Sequence, residues 1–118
     1  MVKYDGLVEV TDEKKDDVLI LRMTGRLDAI SSPAAEKKVF EEINNGQIKI
    51  MLDFSGVDYL SSAGMRMLLS ITKKLKSLTG KMVVCNVTEN VMDVLKMSGF
   101  DHVIELSPNE DDALKKFK

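Results

Sequence analysis

The chain has 118 residues, 44% hydrophobic and 31% charged, a size and balance that fit one globular domain with a packed core rather than a disordered chain or two domains. Its 17 basic and 19 acidic residues give a formal charge of −2, which supplies no net positive field for nucleic acid or an anionic membrane. The single cysteine, Cys85, excludes an intramolecular disulfide and a multi-cysteine zinc site, and reads as a small apolar residue packed in a strand.

In chain order, Leu7, Val8 and Val10 precede the charged stretch Asp12–Asp17, and Val18–Met23 follows as a second apolar run. The pair reads as a hairpin, without the Asn-Gly signature of a two-residue turn. Thr24-Gly-Arg-Leu-Asp28 is a glycine-bearing exit from the second strand. Asp28 has two readings: a turn or capping carboxylate, or a charge that polarises or repels a group in a neighbouring loop. Ser32 as cap, Pro33 at the first helical position and Asn45-Gly46 as stop bracket a helix from about Pro33 to Asn44, with Ala35, Val39 and Ile43 inward.

Ile48, Ile50, Leu52 and Phe54 alternate with period two and predict a strand. A polar joint follows, then a helix from about Ser62 to Leu78 closed by Gly80, with Met65, Leu68, Leu69, Thr72 and Leu75 on one face. Ser61-Ser62 therefore opens a helix. A hydroxyl there can cap the first turn, and added negative charge would meet the positive end of the helix dipole. Beside the serines, Met65 shares the inward stripe, whereas Met67 falls outside it and would be an exposed, adaptable methionine suited to a protein-binding surface.

Met82–Cys85 predicts a buried strand, and Thr88 caps a helix from about Glu89 to Ser98 that turns Val91, Val94 and Leu95 inward and stops at Gly99. His102–Leu106 reads as a last strand, with His102 structural. Ser107-Pro-Asn-Glu110 reads as a capping box opening a short final helix. The order β-β-α-β-α-β-α-β-α predicts one α/β domain: right-handed crossovers put strands parallel, and the opening hairpin adds an antiparallel pair to give a mixed, mostly parallel sheet.

Enzyme readings find little footing. Ser62 sits on a strand-to-helix turn like a nucleophile elbow, but Ser-Ser-Ala-Gly lacks the glycine two residues before the nucleophile, and His102 is the only histidine. A small serine hydrolase is thus a distant alternative. Neither a Gly-x-Gly-x-x-Gly nor a P-loop motif occurs, so no nucleotide cofactor is implied. Asp28, Asp53 and Asp58 have no histidine or cysteine beside them, and no metal is assigned. The apolar runs are far shorter than a membrane span and the N-terminus lacks a signal-peptide layout, so a cytoplasmic location is expected.

Asp53-Phe-Ser-Gly-Val-Asp-Tyr-Leu-Ser-Ser-Ala-Gly64 resembles the segment of STAS domains of the bacterial anti-sigma factor antagonist type in which a strand ends and a phosphorylatable serine precedes a small residue and a glycine at a helix start. In that resemblance Ser62 matches the phosphoacceptor, Ala63 the small residue and Gly64 the glycine; Gly25-Arg-Leu-Asp28 resembles the family's Gly-x-Leu-Asp, whose aspartate lies near the phosphorylation site. Ser61 stands where many members have aspartate and is the alternative acceptor. The resemblance spans nearly the whole chain.

The resemblance implies a switched protein–protein interaction. The unphosphorylated form would bind an anti-sigma factor that is a serine kinase and free a sigma factor. Phosphorylation would end that binding, and a serine phosphatase would restore it. The serine is then a substrate, with ATP and the general base on the partner, and the chain itself is no enzyme. The implied surface comprises Asp28, Asp58, Ser61, Ala63, Gly64, Met65, Arg66 and Met67 on a protein expected to be monomeric when free. A STAS scaffold or ligand-sensing module without phosphorylation is the alternative.

Overall fold

The computed structural model describes residues 2–4 and 8–118, with the backbone alone for 2–4; Leu7 of the predicted hairpin lies outside the described residues. Among the described residues six strands form one sheet in sequence order: β1 (Val2–Tyr4), β2 (Val8–Lys15), β3 (Val18–Leu27), β4 (Lys49–Leu60), β5 (Lys81–Cys85) and β6 (Glu105–Ser107). β1–β2 and β2–β3 are antiparallel; β3, β4, β5 and β6 run parallel. This is the predicted mixed sheet with its hairpin, plus a short edge strand, β1, that sequence analysis did not anticipate. The hairpin runs through the charged stretch to pair Lys15 with Val18. Asp16, at φ 55°, supplies the left-handed residue that Asn-Gly would otherwise provide.

The helices are α1 (Ser31–Asn44), α2 (Ser62–Ser77), α3 (Glu89–Met97) and α4 (Glu110–Lys115), with a 3₁₀ turn at Phe100–His102. The central strands are buried on both faces, as expected for parallel strands covered by helices. One face carries Leu19, Leu21, Met23, Ile50, Leu52, Phe54 and Val84 and packs against Ala35, Val39 and Ile43 of α1, Leu68 and Ile71 of α2, and Val91 and Leu95 of α3. The alternate residues Val18, Ile20, Met51, Val83 and Cys85 face Ala113 of α4 and Phe117. Burial pushes the Cys85 thiol up to about 11, so it stays a protonated, apolar filler.

Several local expectations are corrected. Ser32 does not cap α1: the helix starts at Ser31, two residues before Pro33, and among the described residues the buried Ser32 hydroxyl has no partner. Gly80 is not the left-handed stop of α2. That conformation falls on Thr79 at φ 55°, and Gly80 is required because a Cβ there would lie 2.5 Å from the Ile48 carbonyl. Thr88 precedes α3 but donates to the Val57 carbonyl at 2.9 Å instead of capping the helix. Asn109, not Ser107, caps α4, accepting from the Asp112 N–H at 2.8 Å. His102 is not in a strand; it ends the 3₁₀ turn with its side chain 85% exposed. The turn forms because Gly99, at φ 77°, reverses the chain after α3 and delays the strand to Glu105.

Candidate functional site

The polar joint expected after Phe54 is strand. β4 continues through Ser55 to Leu60, and only Ser61 separates it from α2. The extension was hidden because β4 carries two extra residues against β3: Arg22 pairs with Asp53 but Thr24 with Gly56, and Gly25 pairs with Val57 but Arg26 with Tyr59. These bulges convert period two into the period-three burial of Phe54, Val57 and Leu60. β3 and β4 then end side by side, Leu27 opposite Leu60. Both helix starts, α1 and α2, thereby meet at the carboxyl end of the parallel sheet.

The Leu27 carbonyl fixes the joint. It accepts from the Ser61 N–H at 2.9 Å and from the Ser61 hydroxyl at 3.0 Å. The same hydroxyl accepts from the Gly64 N–H at 3.3 Å, so Ser61 is the N-cap of α2, as its position in the sequence predicts. Ser62, the first helical residue, is exposed, and among the described residues no hydrogen bond engages its hydroxyl. Ala63 is half-buried. Gly64 is buried against Leu27 and Leu60, with no room for a side chain.

Asp28 follows Leu27 and takes the capping reading. Its Oδ1 accepts from the N–H groups of Ser31 and Ile30, both at 3.0 Å, and from the Ser31 hydroxyl at 3.2 Å. The Ser31 N–H, joined by that of Ile30, holds its carboxyl below the ordinary range against a smaller opposing effect of desolvation. The charge is therefore held at the start of α1, one residue beyond the carbonyl that anchors Ser61. Asp58 is exposed on β4.

The methionine assignments reverse. Met67 is 1% exposed and belongs to the inner face of α2 with Gly64, Leu68, Ile71 and Leu75, whereas Met65 is only partly buried against the core. The contact of Gly64 with Leu27 and Leu60 sets the phase of the helix, a constraint that hydrophobicity alone does not carry. Arg66 is exposed one turn beyond Ser62.

Three residues at this end of the sheet escaped sequence analysis. Ile30 is 68% exposed beside Asp28, and Tyr59 is 42% exposed with the Arg26 guanidinium 4.2 Å from its ring centroid. Arg26 and Tyr59 are register partners, a pairing visible only once β4 is known to reach Leu60. Among the described residues no group of three or more His, Cys, Asp or Glu side chains converges as a metal site, and no helix is long and apolar enough to cross a membrane.

A mixed sheet with an antiparallel opening hairpin, parallel crossovers and a capped serine pair at the carboxyl end of the β4 strand defines a STAS domain, and the STAS family model matches residues 9–113; the chain belongs to that family. Several of its relatives are described as anti-sigma factor antagonists. It is 28% identical over 111 residues to BtrV of Bordetella bronchiseptica, described as an anti-sigma factor antagonist, covering 94% of this chain and 96% of BtrV. It is 29% identical over 112 residues to the anti-sigma F factor antagonist of Paenibacillus polymyxa, covering 94% and 96%. The crystal structure of a Thermotoga maritima protein, also described as an anti-sigma factor antagonist, superposes with a TM-score of 0.87 at 26% identity, covering 92% of this chain and 93% of that one.

Proposed function

We propose that this protein is an anti-sigma factor antagonist whose binding to an anti-sigma factor serine kinase is switched off by phosphorylation of Ser62 and restored by a serine phosphatase. The observation that carries the reading is the division of labour between two adjacent hydroxyls. Ser61 is committed to Leu27 and Gly64, whereas Ser62 is exposed and uncommitted at the same helix start. Transfer to Ser62 leaves the cap in place, while transfer to Ser61 would break the bonds that seat α2.

A phosphoserine carries about −1.5 to −2 charges and three acceptor oxygens. At the first residue of α2 it meets the positive end of the helix dipole, so the fold tolerates the modified state. The surface presented at the helix start nevertheless becomes strongly negative. Binding is lost through the surface, with little refolding. The serine is a substrate here; ATP and the general base belong to the kinase.

Incubation with ATP and an anti-sigma factor serine kinase from the same organism tests the reading. Phosphate is expected on Ser62 by mass spectrometry. Ser62→Ala should block transfer while retaining binding, and Ser62→Asp should weaken binding. Phosphate mapped to Ser61, or equal binding by both variants, would refute it.

A further inference from the structure

Helix α2 carries Arg66, Lys73, Lys74 and Lys76 and no acidic residue, in a chain of overall charge −2. All four are exposed. Among the described residues, the basic groups in ion pairs are Lys15, Arg22, Lys49, Lys81, His102, Lys115 and Lys116, and none of the four is among them. Lys74 and Lys76 lie in the last turn, where the negative end of the helix dipole accounts for them. Arg66 and Lys73 lie outside it. A solvated helix face ordinarily mixes both signs at i,i+4 spacing, and this one does not.

Positions 66, 69, 70 and 73 share one face of the helix, at i, i+3, i+4 and i+7. Arg66, Leu69, Ser70 and Lys73 line a single shallow cavity of about 290 Å³ in which Leu69 is half-buried. Ser62, four residues before Arg66, heads the same face. A residue rise of about 1.5 Å puts Arg66 roughly 6 Å along the axis from Ser62 and Lys73 roughly 10 Å further.

We propose that this face is the docking track for an acidic element of the partner protein, with two carboxylate groups about 10 Å apart flanking one apolar side chain that seats on Leu69. Docked so, the partner's reactive centre lies over Ser62. The proposal rests on the function proposed above and names the chemistry of the partner's surface. A protein fits the track better than a polyanion. Glu36, which accepts from the Ser70 hydroxyl at 3.4 Å, stands at the rim, and Asp58 lies on the strand leading to the head; both oppose continuous negative charge. Leu69 at the centre calls for an apolar contact.

The test is isothermal titration of the full chain against the anti-sigma factor kinase used above, comparing wild type, R66E/K73E, R66Q/K73Q and K74E/K76E, each checked for fold by circular dichroism. R66E/K73E should raise Kd by at least about tenfold, R66Q/K73Q by a smaller factor, and K74E/K76E by less than about threefold. Equal binding by wild type and R66E/K73E overturns the track, as does an equal loss in K74E/K76E, which would mark a net-charge effect. Titrations with a 20-base-pair duplex and with phosphatidylserine vesicles complete the set; binding to either that depends on Arg66 and Lys73 overturns the assignment to a protein. A wild-type chain that binds no such kinase refutes the proposed function itself, and the track falls with it.

Discussion

Gly64→Ala tests the geometry that seats the serine pair. An added Cβ would lie 2.5 Å from Leu60 Cδ1, 3.0 Å from the Leu27 carbonyl oxygen and 3.2 Å from Leu27 Cβ. The Leu60 methyl is the end of a side chain, but that side chain is 4% exposed and has little room to turn away. The carbonyl cannot retreat, because it belongs to strand backbone and holds Ser61 through two hydrogen bonds. The start of α2 must therefore lift by several tenths of an ångström. Overpacking of this kind costs about 1–3 kcal/mol, and the better helix propensity of alanine returns up to about 1. The expected net loss is about 1–2 kcal/mol, or roughly 4–8 °C in Tm for a domain of this size. Thermal and urea melts measure it. In a double-mutant cycle with Leu60→Ala, the two losses should fall short of additivity by about 1 kcal/mol, because the smaller residue removes the shortest contact. An unchanged or raised Tm for Gly64→Ala, or strict additivity in the cycle, would refute the packing argument.

Ser61→Ala removes the N-cap and should cost about 1 kcal/mol by urea melt while leaving Ser62 open to phosphorylation; loss of phosphate from the chain would contradict the division between the serines. Thr79→Gly should raise stability by about 0.5–1 kcal/mol, because a β-branched residue at φ 55° is strained and glycine is not; a destabilised variant would refute that account of the α2 stop. Arg22 bonds at 2.8 Å to each of Asp53, Glu110 and Glu13. Arg22→Met, which leaves Asp53 buried without its cation, should cost roughly 1.5–3 kcal/mol by melt. Burial pushes the Asp53 carboxyl up, but the Ser55 N–H and Arg22 together outweigh it, and its net pKa is lowered; Lys15 and Arg22 lower that of Glu110. Groups with depressed folded pKa values give stability that is present above the ordinary carboxylate range and lost as pH falls through and below about 4. Tm should thus fall with acidification from about pH 5, and less steeply in Arg22→Met; parallel pH profiles would rule the network out as the source.

The readable parts of the sequence were those where one local signal decides the outcome. Val18–Met23 and Met82–Cys85 are buried on both faces and bounded by polar residues, so their strands stood out. Asn45-Gly46 and Gly99 marked helix ends that the backbone keeps. The failures have a common physical source in tertiary contacts that override local pattern. Two bulges hid the second half of β4, since a pleat carrying extra residues no longer alternates. Hydrophobic pattern alone does not give the phase of α2, because a buried glycine, invisible to that pattern, turns Met67 inward and Met65 toward the rim. Ser32 and Ser107 have the sequence of caps, but α1 starts at Ser31, whose N–H the Asp28 carboxylate accepts from the preceding turn, and Asn109 caps α4. The Arg22–Asp53–Glu110 cluster joins residues up to 88 apart and had no local signature.

These tertiary contacts converge on the Leu27–Leu60 pair. Because β4 continues to Leu60, the Leu27 carbonyl can hold Ser61 directly, and because Gly64 lacks a Cβ, α2 can start against that same carbonyl. Asp28, the next residue along, holds the turn into α1 by accepting from the Ile30 and Ser31 N–H groups. One strand end therefore anchors the first turns of two helices. A charge placed on Ser62 sits just outside this clamp, where the backbone is already fixed by bonds that do not involve its hydroxyl. The expected consequence is that a phosphorylated and an unmodified chain share their backbone at residues 27–31 and 60–65, so that amide hydrogen exchange there should match between the two. Increased exchange at Gly64 or Met65 on phosphorylation would show instead that the switch works by melting the start of α2.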